Sequence, residues 1–164
     1  GKRWNGVAGS YARVVRELHQ RGIGVYGTFV FGYDHDTPDT LARSVEFALE
    51  SRLEIANFNP LTPTPGSPLY ERLLAEDRLI SPQWWLDPAY RYGDPIFVPR
   101  RMTPQQLAQG CFEAKQRFYA WSSIARRVLA SDTRFSLFGR AMSTVANLIS
   151  RREVYRKQGR ALGT

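Results

Sequence analysis

Residues 23–31, Ile-Gly-Val-Tyr-Gly-Thr-Phe-Val-Phe, are apolar or glycine on both faces of an extended chain except at Thr28. A strand of that composition is usually covered on both sides, as in a parallel α/β sheet. Its flanks agree. Ser10 is placed to cap a helix whose apolar positions Tyr11, Val14, Val15 and Leu18 recur at helical spacing, with Gly22 as the stop. Thr37 and Pro38 give an N-cap and a first-turn proline for a second helix carrying Leu41, Val45, Ala48 and Leu49, and residues 53–58 suit a second strand. Helix, strand, helix, strand with short connections predicts parallel neighbours joined by right-handed crossovers. Two strands cannot form a sheet buried on both faces. The remaining strands are therefore expected from residues outside this chain, from a partner or from later parts of the sequence.

Residues 60–68 hold four prolines and predict a rigid loop at the carboxyl end of the second strand, with Ser67 and Pro68 starting a short helix through Leu73 and Leu74. Residues 81–101 carry Trp84, Trp85, Tyr90, Tyr92 and Phe97 with little periodicity, and read as an aromatic-pinned loop with a short strand near 96–98. Thr103, Pro104 and Gln106 form a capping-box pattern. From there Leu107, Cys111, Ala114, Phe118, Trp121 and Ala125 predict one long amphipathic helix to about Leu129. A last helix is expected over 135–148, with continuation to Tyr155 open and fraying over 157–164.

The 164 residues carry a formal charge of +8, unevenly divided. Upstream of Lys115 there are 12 basic and 13 acidic residues; from Lys115 onward there are 11 and two. A basic helical module binding nucleic acid or an anionic membrane through Lys115, Arg117, Arg126, Arg127, Arg134, Arg140, Arg151, Arg152, Arg156 and Lys157 is thus one functional alternative, and an ordinary solvated face is the simpler one. A packing or dimerisation domain is another, because edges left by missing strands invite self-association. The lone Cys111 excludes an intrachain disulfide and an all-cysteine metal site within one chain, and reads as core packing. No window approaches the length of a membrane span, so a cytoplasmic protein, peripheral to membrane at most, is expected.

Asp34, His35 and Asp36 and the loop at 62–66 both follow the carboxyl ends of predicted strands, where parallel α/β folds place ligands. The two aspartates are candidates for loop hydrogen bonds or for substrate or cofactor contact; a metal site is disfavoured because consecutive loop residues cannot all point inward. His19 reads as a solvated helix residue. Neither a serine nucleophile elbow nor a phosphate-binding or dinucleotide fingerprint is present. The catalytic residues stay unknown.

The segments GIGVYGTFVFGYDHD at 22–36, LTPTPGSPLY at 61–70, FVPRRM at 97–102 and FYAWSSIARR at 118–127 together resemble the carboxyl-terminal portion of radical S-adenosylmethionine proteins that carry an upstream cobalamin-binding domain. The resemblance implies an incomplete parallel (β/α) barrel over 1–80, supplying its fifth and sixth strands, and an aromatic-rich loop and helical extension over 81–164. It implies that Phe31, Gly32, Asp34 and Asp36 face or shape the S-adenosylmethionine pocket and that Pro65 and Gly66 lie beside the adenine. Asp36 falls where many relatives have the glutamate of a Gly-Glu-Thr loop, and Thr37 matches the threonine. The implied parent is a methyltransferase or cyclase with a 4Fe-4S cluster, S-adenosylmethionine and cobalamin as cofactors, acting on a small-molecule or lipid-like substrate. Its partners are the upstream barrel and cobalamin-binding domain of the same polypeptide. The cluster-binding Cys-x-x-x-Cys-x-x-Cys loop is absent here, so the fragment alone is expected to be inactive.

Overall fold

The computed structural model describes residues 11–129 and 136–160. The expected Ser10 cap, Arg134, the expected helix start at Phe135 and the last four residues of the expected fraying end lie outside them. The described elements are α1 (Tyr11–Gln20), β1 (Tyr26–Phe31), α2 (Pro38–Glu50), β2 (Ile55–Pro60), α3 (Pro68–Ala75), a short 3-10 turn (Trp84–Leu86), α4 (Pro104–Phe118), α5 (Trp121–Leu129) and α6 (Leu137–Lys157). The architecture is α/β: β1 and β2 pair in parallel, with Tyr26 opposite Ile55 and Phe31 opposite Pro60, and helices flank them. Among the described residues the sheet has two strands and no closed barrel. No helix of the described chain is long and apolar enough to cross a membrane.

Local chemistry starts the helices where the pattern places them. Thr103 Oγ1 accepts from the Gln106 N–H at 3.0 Å while Gln106 Oε1 accepts from the Thr103 N–H at 2.8 Å, closing the capping box of α4. Ser67 caps α3 through the Tyr70 N–H at 3.2 Å, and Ser136 caps α6 through the Gly139 N–H at 3.1 Å.

One face of the sheet is the core. Phe58 lies stacked between Phe29 and Phe31, with ring centroids 5.0 and 6.5 Å apart, and meets Phe118 of α4 at 5.8 Å. Leu41, Val45 and Ala48 of α2 and Leu107, Cys111 and Ala114 of α4 join them. At Gly110 the helices α2 and α4 come so close that an added Cβ would sit 2.7 Å from Leu41 Cδ2. Cys111 is buried as expected, and burial pushes its thiol up to about 12, so it is protonated at neutral pH.

The single long helix expected over 103–129 is two helices. The chain breaks at Tyr119, whose hydroxyl donates to the Ala56 carbonyl at 3.0 Å and accepts from the Ala56 N–H at 3.3 Å, satisfying the edge of β2 that faces away from β1. Ser123 Oγ then donates to the Phe118 carbonyl at 2.8 Å, capping α4 from the start of α5. The break turns Trp121 off the apolar stripe: it is 62% exposed, with the Arg151 guanidinium 4.7 Å over its ring.

Arg127 ties this corner together. Its guanidinium donates to the carbonyls of Leu53 at 2.9 Å, Glu54 at 3.3 Å, Phe118 at 2.9 Å and Ser123 at 3.3 Å, and to Asn147 Oδ1 at 2.9 Å. Its face covers the Phe118 ring at 3.7 Å. Asn147, 1% exposed, returns hydrogen bonds to the Glu54 and Ser143 carbonyls. The basic third of the chain is therefore not one solvated face, since Lys115 and Arg127 are buried and Arg151 donates to the Tyr119 carbonyl at 2.7 Å. Arg127→Met should cost about 3 kcal/mol or more in urea unfolding, because buried carbonyls lose their donor. A loss below about 1 kcal/mol would contradict this role.

Candidate functional site

The strands alternate, and that alternation builds two surfaces. Gly27, Phe29 and Phe31 of β1, with Ala56 and Phe58 of β2, face the core. Tyr26, Thr28 and Val30 face the other way, beside Ile55, Asn57 and Asn59 in register. Helix α6 borders this second face only at its amino-terminal end, where Gly139, Met142, Ser143 and Ala146 line a groove with Tyr26 and Ile55; Tyr26 is 58% and Val30 37% exposed. The expectation of a strand covered on both sides holds for one side. The bare side presents a polar row of Thr28, Asn57 and Asn59 between apolar neighbours, and the Asn57 amide donates to the Tyr26 hydroxyl.

The bare face leads to the loops at the carboxyl ends of the strands. Phe31 is buried in the core rather than at the loop, and Gly32 turns with a φ of +109° against Phe97 and Leu107, where an added Cβ would lie 2.8 Å from the Phe97 ring. Asp36 closes this turn: one carboxylate oxygen accepts from the backbone N–H groups of Gly32 and Tyr33, both at 2.9 Å. Asp34 points to a different set of partners. Arg72 reaches it at 2.5 Å, Arg78 and Arg100 each at 3.3 Å, and Arg78 and Arg100 also hold Glu76, both at 2.8 Å. His35 is exposed. In the second loop Pro63 is fully buried, whereas Pro65 and Gly66 are exposed, with open space around Gly66.

The five-member cluster joins the first loop to α3 and to the strand-like segment near Val98, whose carbonyl takes the Arg78 Nε–H at 2.9 Å. The Arg72 hydrogen bond, aided by Arg78 and Arg100, holds the Asp34 carboxyl below the usual carboxylate range, and the Arg78 hydrogen bond does the same for Glu76. Sequence reading missed Arg72, Glu76, Arg78 and Arg100, which are far from Asp34 along the chain. It also missed Asn57 and Asn59, although polar residues two apart between Ala56 and Phe58 are the period-two signal of a strand with one open face.

His19 is corrected. It is 6% exposed, and its Nε2 meets Glu54 Oε2 at 3.2 Å, the same oxygen that takes the Val25 N–H at 2.6 Å.

No family model and no solved structure matches this chain. Five curated proteins do. A bacteriochlorophyllide d C-12(1)-methyltransferase from Chlorobaculum tepidum is 29% identical over 119 residues, 73% of this chain and 25% of the relative. An anaerobic magnesium-protoporphyrin IX monomethyl ester cyclase from Cereibacter sphaeroides is 27% identical over 105 residues, 64% of this chain and 16% of the relative. A hopanoid C-2 methylase from Rhodopseudomonas palustris is 35% identical over 66 residues, 40% of this chain and 12% of the relative. The chain spans about a quarter or less of the length of these relatives.

These findings correct the radical S-adenosylmethionine assignment. The relatives are named for methyl transfer and ring closure, and no name specifies a radical, an iron-sulfur cluster or cobalamin. Among the described residues no group of three or more His, Cys, Asp or Glu side chains is placed to hold a metal ion. A 4Fe-4S site needs several thiolates, and the chain has one thiol, buried and protonated. The radical parent enzyme, its cofactor set of S-adenosylmethionine, 4Fe-4S cluster and cobalamin, and the inactivity inferred from missing cluster cysteines are accordingly withdrawn.

The Asp34 cluster gives a pH-dependent expectation. A carboxyl held below its ordinary value of 3.8 contributes stability that is present above that value and lost as pH falls through the lower folded one. Asp34→Asn should therefore lower the thermal midpoint at pH 7, with the gap closing on acidification below pH 3.8. A gap that stays constant from pH 7 to pH 2 would contradict this account.

Proposed function

We propose that the chain forms one wall of the substrate chamber in an enzyme of methyl transfer or ring closure whose substrate is a large, rigid, mostly apolar ring system. The observation that carries the reading is the open part of this sheet face, with Thr28, Asn57 and Asn59 beside the exposed Tyr26 and Val30. A mostly apolar surface with a few fixed polar groups suits a ring system bearing scattered polar substituents: the apolar side chains supply contact area and the amides set orientation. The substrates in the relatives' names, two tetrapyrroles and a hopanoid, are of that kind.

In this reading residues 1–80 supply the wall and residues 81–164 brace it from behind. The loop at Asp34 and Asp36 and the exposed Pro65 and Gly66 form the chamber's rim at the carboxyl edge, where ligands gather in parallel α/β sheets. Further strands add to β1, because on the outer edge of β2 the N–H and carbonyl of Ala56 are already taken by the Tyr119 hydroxyl. They come from polypeptide beyond the present residues, completing an open (β/α) barrel.

The test is made in the parent polypeptide, with product measured by mass spectrometry. Asn57→Leu and Asn59→Leu, which keep size and remove hydrogen bonding, should each lower kcat/KM at least about ten-fold with folding unchanged by circular dichroism. Wild-type kcat/KM in both variants would remove the bare face from the site.

A further inference from the structure

Helix α6 is amphipathic in the wrong sense for a helix lying on a protein surface. Its inward face carries Ser143, Asn147 and Arg151, with Asn147 buried, while Phe138, Met142, Val145 and Ile149 are 75, 53, 49 and 58% exposed. Their spacings are four, three and four, the seam of a coiled coil. Leu137, Ala141 and Leu148 widen the stripe and are also exposed. Met142 borders a groove whose other wall is Gly22, Tyr26 and Ile55, and the stripe is otherwise open to solvent among the described residues.

We propose that this stripe pairs with the same stripe of a second copy of the chain, antiparallel about a two-fold axis. Two observations select that occupant and that direction. First, the seam continues at the same spacing into Arg152 and Arg156; Glu153 pairs with Arg156 at 2.7 Å and with Lys157 at 2.9 Å, and this half stays net cationic. A parallel pair would set Arg152 against Arg152 of the partner subunit and Arg156 against Arg156 of the partner subunit. An antiparallel pair centred between Ser143 and Thr144 sends the two Arg152 side chains to opposite ends, about 25 Å apart along the axis at 1.5 Å per residue. That is about three Debye lengths at physiological salt.

Second, the same centre makes the apolar half self-complementary, as a two-fold axis requires. Phe138 then faces Ile149 of the partner subunit and Met142 faces Val145 of the partner subunit, and symmetry repeats both pairs to give four apolar layers. The helix is already held by Asn147 and by the Arg151 bond to Tyr119, so pairing need not also fold it. Four layers make a small interface, and a dissociation constant of about micromolar size is expected.

Sedimentation equilibrium of the 164-residue chain from about 1 to 200 μM tests this. The weight-average mass should rise from 18.7 kDa towards twice that value. Met142→Glu with Val145→Glu should hold the single-chain mass throughout with unchanged helicity, whereas Leu86→Glu, at an exposed residue outside the stripe, should associate like the wild type. Direction is read from engineered thiols in the Cys111→Ala background: an equimolar mixture of Phe138→Cys and Ile149→Cys chains should oxidise mainly to the mixed disulfide. A wild-type mass that stays at 18.7 kDa, whether the stripe is covered by the chain's own remaining residues, by more polypeptide or by a lipid surface, overturns the proposal. So does a double glutamate variant that still dimerises, or Ile149→Cys pairing mainly with itself.

Discussion

A buried guanidinium holds the described fold together. Arg127 lies where the carboxyl end of α4, the entry to β2, the body of α5 and the middle of α6 converge, and it donates to an acceptor from each of them. Three of those acceptors, the Leu53, Glu54 and Phe118 carbonyls, lie at a strand entry and a helix end, where the regular backbone ladders stop. A cation at a helix carboxyl terminus is also favoured by the helix dipole. Burial nonetheless costs the charge, and the guanidinium's pKa falls to about 10, still far enough above neutrality to keep it charged. Apolar packing alone would exclude water from this corner and leave the Phe118 and Glu54 carbonyls with only the Ser123 and Asn147 side chains as donors.

The Arg127 corner makes the sheet asymmetric. A two-stranded sheet is marginal by itself, and here its stability comes from one face and one edge. Phe29, Phe31 and Phe58 bury the face against α4, while Tyr119 occupies the outer edge of β2. The opposite face is left free to carry Thr28, Asn57 and Asn59, which the core does not need. Behind the sheet, the Arg127 network fixes the position of α6, so one side of that helix meets polar groups and the other is turned outward.

What was legible in the sequence was local. Capping residues and proline mark the starts of α2, α3 and α4, and the strand–helix–strand order with parallel pairing follows from apolar runs and short connections. The first strand begins at Tyr26 rather than Ile23, and the Val25 N–H is taken by the side chain of Glu54, the residue before β2. The helix break at Tyr119 was invisible to periodicity, since the spacing of Phe118 and Trp121 continues the stripe and the cause is a hydroxyl reaching Ala56. His19 and Arg127 read as surface residues because their partners lie 35 and 74 positions away. At the candidate site Asp36 was legible as a loop residue, whereas Asp34's three arginines come from separate segments. The motif resemblance led to a cofactor assignment that the chain's own thiol content and the relatives' names do not carry.

The central claim is that the two strands are held from behind, with their bare face free for a ligand. Native-state hydrogen exchange of the 164-residue chain tests it most directly. Amides of β2 and of the inner turns of α4 should exchange together, at the free energy of global unfolding measured in urea. Strand amides that exchange orders of magnitude faster than those of α4, while the helices stay protected, would show that the helical brace does not hold the sheet and would contradict the account.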